Sequence, residues 1–120
     1  MRTLLTVAAL ALLPTFGLLA QSGTVYKIGN GVKSPVLVKE VKPNYTRAAM
    51  DRKAEGVVEL KAVVLSDGTV GDTRVTQSLD EDLDQQAIIA VKQWEFKPGT
   101  KDGKPVDVEV SIELTFTLKK

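Results

Sequence analysis

From residue 106 to residue 118 every second position is apolar. Val106, Val108, Val110, Ile112, Leu114, Phe116 and Leu118 alternate with Asp107, Glu109, Ser111, Glu113, Thr115 and Thr117. A period of two sustained this long describes one strand with a dry face and a wet face. At about 3.3 Å per residue it runs about 40 Å, longer than the core of a small domain requires. Part of its edge is therefore expected to lack a partner within the chain. Residues 57–65 repeat the alternation, with Val58, Leu60, Ala62 and Val64 on one face. Ser66-Asp67-Gly68-Thr69 follows, and Asp-Gly between two strand runs predicts a type I′ hairpin. Residues 70–78 return antiparallel, with Gly71 marking a bulge.

Two helical stretches interrupt the strands. Thr46 is placed to cap a short helix over residues 47–54, with Gly56 just past its end. Ser78-Leu79-Asp80-Glu81 resembles a capping box opening a helix over residues 81–94. At 100° per residue Leu83, Ala87, Ala90, Val91 and Trp94 share one arc, with Ile88 on its flank and Ile89 outward. Residues 35–41 form a short extended apolar piece, an edge strand or a clamp across the core. The element order, with the last strand beside the first of the hairpin, predicts an α+β two-layer sandwich. Its three-stranded antiparallel sheet has order 2-1-3, with both helices on one face and the outer edge belonging to residues 106–118.

The N-terminus adds a second kind of information. Arg2 precedes a stretch from Leu4 to Ala20 broken only by Thr6, Pro14, Thr15 and Gly17. This reads as a signal peptide over residues 1–20, with a short membrane anchor as the alternative. Residues 21–34, rich in Gly, Ser, Asn and Lys, read as a flexible lead-in with a short strand around residues 25–28. Residues 35–120 form the domain.

Charge and composition narrow the chemistry. Lys and Arg number 16 against 15 Asp and Glu, and removal of Arg2 equalises them. A neutral chain without a basic stripe does not fit nucleic acid. There is no cysteine and no histidine, which removes disulfides, thiol chemistry, the commonest general base and the commonest metal ligand. The acidic cluster Asp80, Glu81, Asp82 and Asp84 lacks the spacing and central glycine of a calcium loop and reads as charge at a helix N-terminus. A pair of carboxylates working on a glycoside needs a cleft that two short helices do not build. Trp94, in the middle of its helix's apolar arc, reads as core. No enzyme activity, metal or cofactor is expected. An unpaired strand edge, by contrast, offers a row of main-chain donors and acceptors to any extended chain.

Pro43-Asn44-Tyr45, Glu55-Gly56-Val57-Val58, Asp67-Gly68-Thr69-Val70, Leu83-Asp84-Gln85-Gln86-Ala87, Trp94-Glu95-Phe96-Lys97-Pro98 and Gly103-Lys104-Pro105-Val106, in this order and spacing, resemble the TonB C-terminal domain family. The resemblance covers residues 35–118. It implies a periplasmic interaction module in energy-coupled transport, binding a TonB box-like extended segment of an outer-membrane receptor by strand addition. It places the peptide on Val106, Asp107, Val108, Glu109, Val110, Ser111 and Ile112, with Lys42, Pro43 and Tyr45 as receptor contacts. An uncleaved anchor would place the chain in the inner membrane facing the periplasm and add proton-channel partners. The alternative is a structural homodimer that pairs through the C-terminal strand without a receptor.

Overall fold

A computed structural model describes residues 24–118, and the segment read as a signal peptide or anchor, residues 1–20, lies outside them. The elements in chain order are β1 (Val25–Lys27), β2 (Val32–Lys33), β3 (Val36–Lys39), α1 (Arg47–Asp51), β4 (Gly56–Val64), β5 (Val70–Gln77), α2 (Glu81–Val91), β6 (Glu95–Lys97), β7 (Gly99–Lys101) and β8 (Lys104–Phe116). Among the described residues no helix is long and apolar enough to cross a membrane.

The alternation in β4 and β8 does what a period of two requires. Val58, Leu60, Ala62 and Val64 of β4, and Val108, Ile112, Leu114 and Phe116 of β8, are buried. The helices cover that face. Leu83, Ala87 and Val91 of α2 and Ala49 of α1 join Val58, Leu60, Ala62, Ile112, Leu114 and Phe116, with Trp94, in one apolar cluster. Each fully buried side chain of the size of Leu60, Leu83 or Val108 contributes about 1.5–3 kcal/mol from removal of apolar surface from water. Ile89 points out and is 51% exposed, as its place outside the apolar arc dictates.

The three long strands lie in the order β5-β4-β8, all antiparallel, but they are not the whole sheet. It has six strands: the path runs β2-β7-β8-β4-β5, and β1 pairs with β8 beside it. β3 and β6 make a separate two-stranded sheet. The expected three-stranded sandwich is thus enlarged by short strands of two or three residues, a length too small for any periodicity to show. The described part of the lead-in, residues 24–34, is tied to the sheet at β1 and β2. Residues 36–39 pair with β6 rather than lying on β8.

Four local details differ from the sequence reading, each for an identifiable reason. The left-handed residue closing α1 is Lys53 (φ 56°), not Gly56. Lys53 N–H donates to the Met50 carbonyl at 2.9 Å and Ala54 N–H to the Ala49 carbonyl at 3.0 Å, the double closure that satisfies the last helical carbonyls. Gly56, at φ 144°, instead opens β4 where a Cβ would meet Leu79. The cap of α2 is Asp80, whose carboxylate accepts from Leu83 N–H at 3.2 Å, rather than Ser78. Ser78 donates its hydroxyl to Asp84, and Asp84 also accepts from Leu79 N–H at 3.0 Å. These bonds account for a buried carboxylate at the helix's positive end.

The β4–β5 loop is the third difference. Gly68 has positive φ and Asp67 does not. Gly68 N–H donates to the Leu65 carbonyl and Leu65 N–H to the Thr69 carbonyl, both at 2.8 Å, which is a three-residue loop with a bulge at the glycine. Asp67 prefers this form because its carboxylate accepts from Thr69 N–H and Thr69 Oγ1, at 2.9 and 2.6 Å; these bonds hold its pKa below the usual range. The fourth difference is that the type I′ turn sits instead at Asp102-Gly103, with φ 53° and 77°. It makes residues 99–106 a hairpin rather than a plain connector.

Gly68 is also where the two sheets touch. Phe96 N–H donates to the Gly68 carbonyl at 2.9 Å, and a Cβ on Gly68 would sit 2.2 Å from the Phe96 carbonyl oxygen. Gly68→Ala meets both a positive φ and an immovable backbone atom, and is expected to cost about 2 kcal/mol. Thermal unfolding should show a fall in Tm of about 10 °C; an unchanged Tm would contradict this packing.

Candidate functional site

One flank of β8 is filled from Val108 to its C-terminal end. It pairs with β4 in unbroken antiparallel register from Val64↔Val108 to Gly56↔Phe116. The other flank is shared among unequal neighbours. β7 covers residues 104–106 and β1, running parallel, covers residues 107–109. Among the described residues no strand covers residues 110–116 on that side. The unpartnered edge predicted from length therefore exists, but it lies further along the strand than the family resemblance placed it.

The hairpin sets which main-chain groups face outward. A two-residue type I′ turn makes its flanking residues, Lys101 and Lys104, a hydrogen-bonded pair. Pairs then alternate, so Pro105, without an N–H, falls opposite Thr100 at a non-bonded position. Carried along a strand without register shifts, this alternation turns the N–H and C=O of Val110, Ile112, Leu114 and Phe116 to the open side. Those of Ser111, Glu113 and Thr115 turn to β4.

The open edge lies along a groove. Beside residues 110–112 is a cleft of about 540 Å³ walled by Pro35, Leu37, Trp94 and Phe96 and closed at one end by Lys27 and Ile28. Beside residues 113–117 is a second, of about 390 Å³, lined by Glu40, Lys42, Pro43 and Tyr45. The first offers mainly apolar walls, the second charged ones. An extended segment on this edge would alternate its side chains between the apolar wall and the polar face carrying Ser111, Glu113 and Thr115.

The far wall is anchored to the core. Trp94 donates its indole N–H to the Val41 carbonyl at 2.8 Å, and its ring lies 6.3 Å from that of Phe96. Tyr45 stands edge-on to Phe116, with ring centroids 5.6 Å apart, and donates its hydroxyl to the Ala54 carbonyl. Desolvation first, then the charges of Glu55 and Asp80, raises the Tyr45 pKa.

The site residues expected from sequence thus divide. Lys42, Pro43 and Tyr45 do line the groove, at its far end. Val110, Ser111 and Ile112 lie on the open stretch. Val106 and Val108 are engaged by β7 and β1, and Val108 is fully buried. Asp107 accepts from Ser66 N–H at 2.8 Å and so holds the β4–β5 loop. Glu109 sits between Lys27 and Arg74, 3.3 Å from each. Lys27 chiefly, then Arg74, holds its carboxyl below the usual range against the opposing effect of desolvation. Residues 113–116, expected as edge but not among the peptide contacts, and the wall formed by Pro35, Leu37 and Phe96 complete the groove. The continuing alternation to Phe116 was the signal for the former; nothing local marks the latter.

The acidic cluster is occupied by protein. Arg52 donates to both carboxylate oxygens of Asp80, at 2.8 and 3.0 Å, and to Asp82 at 3.1 Å. The Arg52 bond is the main reason the Asp80 pKa is depressed. Among the described residues no group of three or more acidic side chains converges as a metal site would require.

Comparison with known proteins gives the family and the fold. Residues 41–118 match the family described as Gram-negative bacterial TonB protein C-terminal. The chain is 37% identical over 90 residues to Protein TonB of Vibrio cholerae, covering 73% of this chain and 37% of that one. It is 40% identical over 77 residues to Protein tonB2 of Pseudomonas aeruginosa, covering 63% of this chain and 28% of that one. It thus spans between about a quarter and two fifths of the length of these curated relatives. The solution NMR structure of the Pseudomonas aeruginosa TonB CTD superposes with a TM-score of 0.61 at 25% identity, over 82% of this chain and 98% of that one.

Proposed function

Because this chain belongs to the TonB C-terminal family, a periplasmic domain that works by interaction and transduction rather than catalysis, we propose that it captures extended segments of outer-membrane receptors by strand addition. The capture serves energy-coupled transport. The observation that carries this reading is β8 itself: over residues 110–116 one flank is paired with β4, while among the described residues no strand covers the other, which lies along a groove. Main-chain pairing on such an edge tolerates sequence, and the side-chain pockets select. In this reading Val110, Ile112, Leu114 and Phe116 bind the peptide backbone. Lys42, Pro43 and Tyr45 receive its far end, and Ser111 lies on the polar face beneath it.

The test is an NMR titration of the labelled protein with synthetic seven-residue TonB-box peptides. The amides of Ile112, Leu114 and Phe116 should shift and become slow to exchange, while those of Ser111, Glu113 and Thr115, already bonded to β4, change little. Unmoved edge amides at millimolar peptide, with a tight dimer in sedimentation, would favour the structural homodimer instead. N-terminal sequencing of the envelope protein decides between a cleaved signal peptide, our reading of residues 1–20, and an anchor.

A further inference from the structure

We propose that β1 is a displaceable stand-in for the ligand: it occupies the first part of the same edge, and a longer extended segment takes its place. This deepens the strand-addition reading and rests on it. β1 continues the line of the open stretch without a gap, since its register ends at Lys27↔Glu109 and the unpaired edge begins one residue later. Lys27 and Ile28 close the cleft beside residues 110–112. Any extended chain laid on that edge and prolonged toward Asp107 meets β1 end-on.

β1 is held as a removable piece would be. Its pairing spans three residues, against nine between β4 and β8. It puts no side chain into the buried cluster, and Val25 and Ile28 beside it are 46% and 53% exposed. Two contacts fasten it: the Lys27–Glu109 ion pair, whose lysine is 80% exposed, and Lys101 Nζ lying 5.5 Å over the Tyr26 ring. Exposed pairs of this kind contribute little.

Behind it stands a pivot. Gly29, Asn30 and Gly31 all have positive φ, and a Cβ on either glycine would meet nothing within 4 Å. The chain can therefore swing there while β2, paired to β7, stays in place. Displacement leaves Glu109 with Arg74 but without its lysine. The incoming segment is thus an extended peptide of about ten residues that spans positions 107–116 and brings a lysine or arginine to Glu109.

The chain has no native cysteine, so a Val25→Cys/Asp107→Cys pair gives one disulfide between residues paired across adjacent strands, with Lys27 and Glu109 left in place. Cα atoms of such neighbours lie within bridging range. Oxidised, the pair locks β1 down; reduced, the same protein frees it. Lys27→Pro supplies a second released form, because it removes both the ion pair and the N–H that a parallel strand gives to Val108.

The probes are a seven-residue TonB-box peptide and an eleven-residue version of it. The eleven-residue peptide is expected to bind the reduced pair and Lys27→Pro about tenfold more tightly than the oxidised pair, while the seven-residue peptide binds the oxidised and the reduced pair alike. Equal binding of the longer peptide to oxidised and reduced protein, with the shorter still bound, would overturn this proposal and leave strand addition standing. If neither peptide binds any form, both readings fall.

Discussion

Trp94→Ala should lower the unfolding free energy by about 3–5 kcal/mol, a large part of the 5–15 kcal/mol that a domain of this size has. Three losses coincide. The ring is 7% exposed and belongs to the central cluster with Leu83, Val91 and Leu114. Its removal leaves a cavity between α2 and the sheet. The Val41 carbonyl also loses its indole donor. Urea unfolding measures the sum, expected as a midpoint shift at nearly constant slope. Trp94→Phe separates the parts: it keeps most of the ring's packing, frees the Val41 carbonyl, and should loosen residues 41–45. Its signature is weaker peptide binding at the far cleft with a smaller stability loss. A Trp94→Ala protein as stable as the parent would mean that this residue does not organise the core.

Proline at two adjacent positions of β8 should give opposite results. At Val110 the missing N–H is one that faces the open edge, so the β4–β8 ladder survives, as edge strands allow. The protein should stay folded with its peptide affinity reduced at least tenfold. At Ser111 the missing N–H is one bonded to Lys61 in the middle of the β4–β8 ladder. Loss of that bond, with a buried acceptor left unsatisfied, should cost about 3 kcal/mol. Circular dichroism melts and peptide titrations on the two variants read the contrast. If Ser111→Pro were folded and Val110→Pro unfolded, the alternation of main-chain groups along β8 would be the reverse of that described, and the site would move to the other set of residues.

The cap of α2 shows how a pattern can name the right place and the wrong atom. Ser78, Asp80 and Asp84 all lie within reach of the helix start, and sequence favours the serine by its spacing from Glu81. In the folded chain Arg52 arrives from α1 and fixes Asp80, which then caps, while Ser78 turns to Asp84. The two Asp-Gly turns repeat the lesson. Asp67-Gly68 and Asp102-Gly103 carry the same local signal, yet only the second adopts positive φ at both residues. Thr69 gives the first Asp a partner that the second lacks.

Periodicity alone was sufficient for β4, β8 and the buried arc of α2, because a side chain's face is a local property of its own strand or helix and the solvent enforces it residue by residue. It was sufficient, too, for the existence of a strand longer than its core. Which stretch of that strand's flank stays open was decided elsewhere, by β1, β2 and β7, pieces of two or three residues whose pairing comes from chain segments about seventy to eighty positions away and from a turn at Asp102-Gly103. So short a strand has no period to read, and its place is set by what the rest of the fold leaves uncovered. The groove wall has the same origin: Pro35, Leu37 and Phe96 meet the edge because Trp94 and the Gly68 turn hold their segments there.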